Sequence, residues 1–218
     1  MPIKWQHPFN ALICGPSSCG KSFFVRKFLN HLRDMVDTNF NEVVWCYGEY
    51  QTLYDQIRSE RKCPTPVRFH EGIPDMLSFK PSDGPRLLCI DDLMAESGSE
   101  VVNLFTKLSH HRNLSVMFIT QNMFYKGKGM RDMSLNSHYV VVFKNPREKS
   151  QISHLARQIC PENSLAVSQA FYDATKNPHS YILFDFRQDT PEDYRMRTNI
   201  FPSDEYEYVY IPLKRCRK

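Results

Sequence analysis

Apolar residues in this chain gather into short unbroken runs, and between the runs they return at intervals of three and four. Residues 9–14 (FNALIC), 42–47 (EVVWCY), 86–92 (RLLCIDD), 115–120 (SVMFIT) and 138–143 (HYVVVF) carry the runs, and each predicts a buried strand. Residues 67–70 (VRFH) add a further short strand. Helical spacing covers residues 22–32, 50–60 and 99–110, and Cys63-Pro64-Thr65-Pro66 and Asp83-Gly84-Pro85 interrupt the pattern with turns. Strands apolar on both faces, alternating with helices, predict an α/β fold with a mostly parallel central sheet flanked by helices. Residues 180–186 and 195–201 differ and predict an antiparallel addition near the C-terminus. No internal repeat, low-complexity tract or linker divides residues 1–218, so one domain is expected, with a short flexible N-terminus and a basic tail.

Chemistry enters at the first strand-to-helix junction. Gly15, Pro16, Ser17, Ser18, Cys19, Gly20, Lys21 and Ser22 form a complete phosphate-binding loop between a predicted strand and a predicted helix. Such a turn points backbone N–H groups and the positive helix end at one spot, which suits a polyphosphate. Lys21 then reaches the β/γ-phosphates of a nucleoside triphosphate and the Ser22 hydroxyl ligates Mg2+. Cys19, beside Lys21 and the helix N-terminus, sits where a thiol pKa falls and reactivity rises.

In a parallel sheet, ligands bind at the carboxyl ends of the strands. That rule brings the loop, Glu49, Asp91, Asp92 and Gln121 to one edge, although they are scattered in sequence. Asp91 ends its strand where a Walker-B carboxylate holds Mg2+. Asp92 is placed to orient and deprotonate an attacking water, with Glu49 as its rival. A double aspartate can also simply cap the next helix. The Gln121 amide suits a sensor of γ-phosphate and water. The phosphate loop contains no arginine, so charge stabilisation in the transition state calls for one from elsewhere, such as a neighbouring subunit. Arg112 is the first choice, ahead of Arg131 and Arg147.

Bulk properties narrow the class. No window is long and apolar enough to span a bilayer, and residues 1–5 do not begin a signal peptide. Seven cysteines without paired C-x-x-C spacing read as reduced thiols of an intracellular protein, and structural zinc is not expected. The net charge of +4 permits a polyanionic partner without demanding one, so the placement of the basic residues decides. Residues 124–131 (FYKGKGMR) put Lys126, Lys128 and Arg131 with two glycines in a short loop after aromatics, an arrangement that suits sequence-independent contact with a phosphate chain. The same loop also fits a lid over the nucleotide. Residues 214–218 (KRCRK) suit a nuclear signal, a DNA-binding tail or a frayed terminus.

The phosphate loop, the Ile90-Asp91-Asp92 strand end and the Thr120-Gln121-Asn122 strand end together resemble the FtsK–HerA superfamily of DNA-pumping ATPases. A finer likeness runs through residues 46–51 (CYGEYQ), 104–107 (LFTK), 109–115 (SHHRNLS), 134–139 (SLNSHY), 143–147 (FKNPR) and 173–176 (DATK). These resemble the genome-packaging ATPases of Polinton/Maverick elements and adintovirus-like viruses, relatives of the poxvirus packaging ATPase, over about residues 8–201. The resemblance implies a P-loop NTPase fold of the ASCE, RecA-like kind. It also implies Mg2+-dependent ATP hydrolysis that drives double-stranded viral DNA into a preformed capsid. The expected partners are duplex DNA, further copies in a homo-oligomeric ring and a capsid or portal vertex, with no membrane. The expected setting is the host-cell interior, in the nucleus or at the virus assembly site. Asp92 departs from the glutamate that many superfamily members carry, and its shorter reach keeps Glu49 open as the base. The chain also leaves no room for the nuclease domain of phage large terminases. Two other readings of the residues stand beside the motor: a P-loop nucleotide or nucleoside kinase, and a non-catalytic assembly factor that binds ATP.

Overall fold

The computed structural model describes residues 3–75, 78–91, 93, 101–105, 109, 112–121, 128–147 and 150–212, except the side chains of 128, 150 and 151. Among these residues a sheet of nine strands forms the centre: β1 (Asn10–Cys14), β2 (Glu42–Tyr47), β3 (Val67–Glu71), β4 (Arg86–Asp91), β5 (Leu114–Thr120), β6 (Tyr139–Phe143), β7 (Tyr181–Asp185), β8 (Met196–Thr198) and β9 (Tyr208–Val209). Its order is β3-β2-β4-β5-β1-β6-β7-β8-β9. From β3 to β6 every pairing is parallel, and from β6 to β9 every pairing is antiparallel. The predicted α/β class, the parallel centre and the antiparallel addition are therefore present.

Both faces of the sheet are covered because successive strand side chains point to opposite sides. Leu12, Val44, Cys46, Leu88, Ile90, Val116 and Phe118 enter one core, while Ala11, Ile13, Val43, Trp45, Leu87, Cys89, Met117 and Ile119 enter the other. Helices α1 (Lys21–Asn30), α2 (Leu32–Met35) and α3 (Thr52–Glu60) supply the second core through Phe24, Val25, Phe28, Leu32, Tyr54 and Ile57. Residues 101–105 and helices α4 (Lys128–Leu135), α5 (Ser150–Ile159) and α6 (Ser164–Ala174) supply the first.

Three local readings change. The 50–60 helix starts at Thr52, after an extended Gln51. The region between β6 and β7, left unassigned from sequence, holds α5 and α6. The 124–131 loop is helical from Lys128 onward, with residues 122–127 outside the described set. A Cβ on Gly129 would come within 2.6 Å of the Val102 side chain, so that glycine permits close packing of α4 against residue 102.

Candidate functional site

Parallel register brings the carboxyl ends of the central strands level. Cys14 lies beside Thr120, Asp91 beside Ile119, and Tyr47 beside Asp91. The phosphate loop leaves this edge from Cys14 and is tied to it by Gly15 N–H donating to the Thr120 carbonyl at 3.2 Å. A Cβ on Gly15 would lie 2.6 Å from Cys19 Sγ and 2.7 Å from Phe143 Cβ, so the loop can turn here only around glycine. Gly20 adopts a left-handed conformation at the N-cap of α1, and its carbonyl accepts the Phe24 N–H at 2.8 Å. Lys21 Nζ donates to the carbonyls of Gly15 and Pro16 at 2.7 and 2.8 Å. The ammonium is thus held within the turn, at the mouth of the helix.

Asp91 is buried at the tip of β4. Its Oδ2 accepts from Ser22 Oγ at 3.5 Å and from Tyr54 Oη at 3.3 Å. A hydroxyl and one carboxylate facing each other beside a phosphate loop fit Mg2+, which is held through few protein oxygens together with substrate phosphates. Among the described residues no group of three or more His, Cys, Asp or Glu forms a separate metal cluster. Tyr54 is a site residue that the sequence reading missed. It is fully buried in an aromatic cluster with Trp45, Tyr47, Tyr50 and Phe69, and burial next to Asp91 pushes its hydroxyl pKa up, so it stays a donor.

Gln121 is at the same edge, where its Oε1 accepts from Ser17 Oγ at 3.2 Å. Glu49 is exposed two residues beyond Tyr47, past the end of the strand that pairs with β4. Asp92, Lys126 and the Lys128 side chain lie outside the described set. Arg131 is exposed on α4. Arg112 precedes β5, so it lies at the amino edge, across a strand of roughly 20 Å from the phosphate loop. There its Nη1 donates to the Phe79 carbonyl at 2.8 Å. It is no part of this chain's own site. Arg147 instead follows β6 on the loop's edge and is exposed.

The expectation for Cys19 is corrected. Burial raises its pKa above the ordinary thiol value and outweighs the opposing pull of Lys21. Neighbouring Cys14, fully buried, is pushed up to about 12.

A cavity of about 780 Å³ opens from the first turns of α1. Lys21, Ser22 and Gln51 line it with Phe23, Phe143, His179, Asn199 and Phe201. One end therefore holds the phosphate-loop groups, and the other is walled by the antiparallel addition.

No protein-family model matches the sequence, and no curated protein matches it. Solved structures do match in fold. The genome packaging NTPase B204 of Sulfolobus turreted icosahedral virus 2, in complex with AMP, superposes with a TM-score of 0.54 at 14% identity, covering 84% of this chain and 95% of that one. The same NTPase in complex with ATP-gammaS gives 0.54 at 12% identity, covering 95% and 98%. The DNA-packaging ATPase B204 of Sulfolobus Turreted Icosahedral Virus gives 0.55 at 11% identity, covering 95% and 99%. In the last two comparisons the fold likeness thus spans nearly the whole of both chains.

Proposed function

We propose that this protein is an ATP-hydrolysing motor that moves double-stranded viral DNA into a preformed capsid, working as a homo-oligomeric ring inside the host cell. The observation that carries this reading is the convergence of Lys21, Ser22, Asp91 and Gln121 on one sheet edge, in a fold shared over its length with genome-packaging NTPases. The finer affiliation, to packaging ATPases of the Polinton/Maverick and adintovirus kind, rests on the sequence stretches quoted above.

In this reading the loop amides and Lys21 bind and orient the β- and γ-phosphates. Ser22 and Asp91 would hold Mg2+, which supplies neutralisation of phosphate charge when bound. Tyr54 keeps Asp91 aimed at Ser22. Gln121 orients the attacking water, and Asp92 or Glu49 accepts its proton. An arginine from the next subunit completes the charge balance. Lys128 and Arg131, on α4, and Lys126 before it are proposed to meet the DNA backbone.

Phosphate release from ATP, measured with and without duplex DNA of unrelated sequences, tests the motor. Stimulation by any duplex is expected. Turnover that instead depends on a small phosphate acceptor makes the protein a kinase, and tight ATP binding without turnover makes it a nucleotide-dependent assembly factor.

A further inference from the structure

The phosphate loop accounts for only one end of the 780 Å³ cavity. The other end is built by residues with no part in phosphate binding. Phe23, in the first turn of α1, lines it and is 61% exposed, so its ring is open to a ligand. The segment 178–181 lines the same cavity. His179 there has a positive φ of 61° and its Nδ1 lies 3.2 Å from the Cys19 carbonyl. A carbonyl can only accept, so Nδ1 carries the hydrogen, and in the neutral ring Nε2 is left as an acceptor.

The third wall is the segment after β8. Asp204 fastens it to α1 by accepting from Lys27 Nζ at 2.6 Å, and closes the segment's own turn by accepting from the Phe201 N–H at 3.0 Å. The Lys27 ammonium also lies 4.4 Å from the Phe201 ring centre. Beneath, Phe24 packs against Phe143, Tyr181 and Phe201, which gives the floor a rigid aromatic base. A half-apolar slot with one imidazole acceptor on its wall, joined to a polyphosphate site, has the shape and chemistry for a planar base.

We infer that this end of the cavity is a nucleoside pocket, formed jointly by α1 and the antiparallel addition, in which Phe23 contacts the base and His179 Nε2 accepts a hydrogen bond from an exocyclic amine. The ligand class is a nucleoside triphosphate with an amino-bearing base. A keto oxygen in place of the amine would set two acceptors against each other, and sites built to hydrogen-bond a group reject analogues lacking it. This inference rests on the triphosphate reading of the loop and adds the specificity that the loop cannot supply, since the loop meets phosphate alone.

Equilibrium binding of ATP, ITP and inorganic tripolyphosphate to the full chain, with His179→Phe and Phe23→Ala as variants, tests it. Inosine differs from adenosine at the amine, and tripolyphosphate has no nucleoside. ATP should bind the wild type more tightly than tripolyphosphate, and more tightly than ITP by roughly two- to tenfold, the value of one hydrogen bond. His179→Phe should erase the ATP–ITP difference, and Phe23→Ala should weaken ATP and ITP together. Both variants should hold tripolyphosphate as the wild type does, which shows that the loop is still folded. ATP and tripolyphosphate binding equally to the wild type would overturn the pocket. An ATP–ITP ratio unchanged in His179→Phe would overturn the role of the imidazole, with the triphosphate reading intact. Failure of all three ligands to bind the wild type would remove the triphosphate reading itself, and this inference with it.

Discussion

Tyr54 shows how much a single hydroxyl can be asked to do. It reaches Asp91 from α3, an element separate from the phosphate loop, and its ring is packed among Trp45, Tyr47 and Phe69. Tyr54→Phe keeps that packing and deletes one donor, leaving Asp91 less firmly aimed. The expected result is a several-fold lower kcat and a higher Mg2+ concentration for half-activation, with a stability loss of only about 1 kcal/mol. Unaltered Mg2+ dependence would reduce the bond to a structural one. Lys21→Ala should abolish turnover, because no other cation among the described residues is held within the loop. At Cys19 the sign is set by burial: a raised pKa leaves little thiolate near neutral pH. Alkylation of Cys19 should therefore be slower in the native chain than in urea and should accelerate as pH rises. Faster labelling in the native state at neutral pH would restore the activated-thiol expectation.

At the scale of elements, the strands were legible because burial on both faces leaves unbroken apolar runs, and the site edge was legible because the chemistry sits at the ends of those runs. Helices α5 and α6 carried an equally plain signal that passed unused. Ile152, Leu155, Ala156 and Ile159 recur at i, i+3, i+4 and i+7, as do Val167, Ala170, Phe171 and Ala174. Tyr54 was not legible, because an aromatic at helical spacing looks the same whether its hydroxyl meets a buried carboxylate or nothing. The close approach of Gly129 to Val102 was hidden for a related reason: a glycine in the sequence does not say what its backbone approaches. The burial pattern of α5 and α6 gives a direct check. Leu155→Ala, at 3% exposure, should cost about 2–5 kcal/mol, whereas Leu165→Ala, at 56%, should stay within roughly 0.5 kcal/mol in denaturant unfolding. His7 adds a pH dependence to the segment before β1. Its Nδ1 lies 2.7 Å from Ser115 Oγ and its Nε2 2.7 Å from Asn113 Oδ1, and burial holds its pKa below the ordinary 6.5. The unfolded chain then takes up the proton first. Stability from this group is complete above pH 6.5 and is lost as pH falls toward the lowered folded value. His7→Gln should flatten that acid-side slope in chemical denaturation followed against pH, and an unchanged slope would assign it to other groups.

For the molecule as a whole, the two edges of the sheet divide the arginines between them. Arg147 follows β6 on the phosphate-loop edge, while Arg112 sits before β5 at the opposite edge and is pinned to the Phe79 carbonyl. Arg112 therefore cannot serve its own nucleotide, and any catalytic role for it has to be played across an interface. A closed ring is built from heterologous contacts, in which one surface of each copy meets a different surface of the next. Such a ring lets an arginine remote from its own site complete a neighbour's. Arg112→Ala and Lys21→Ala should each be inactive alone. In an equal mixture, random assembly joins an intact loop to an intact Arg112 at about a quarter of interfaces, so hydrolysis should return to that order. Arg147→Ala mixed with Lys21→Ala is the contrast. If Arg147 acts on the site of its own chain, the intact loop and the intact arginine never share a subunit, and mixing recovers nothing. Steady-state phosphate release across a series of mixing ratios separates the two cases. A parabolic rise and fall with Arg112→Ala fixes that arginine in trans, and a flat line with mixed assembly confirmed removes it from the hydrolytic step.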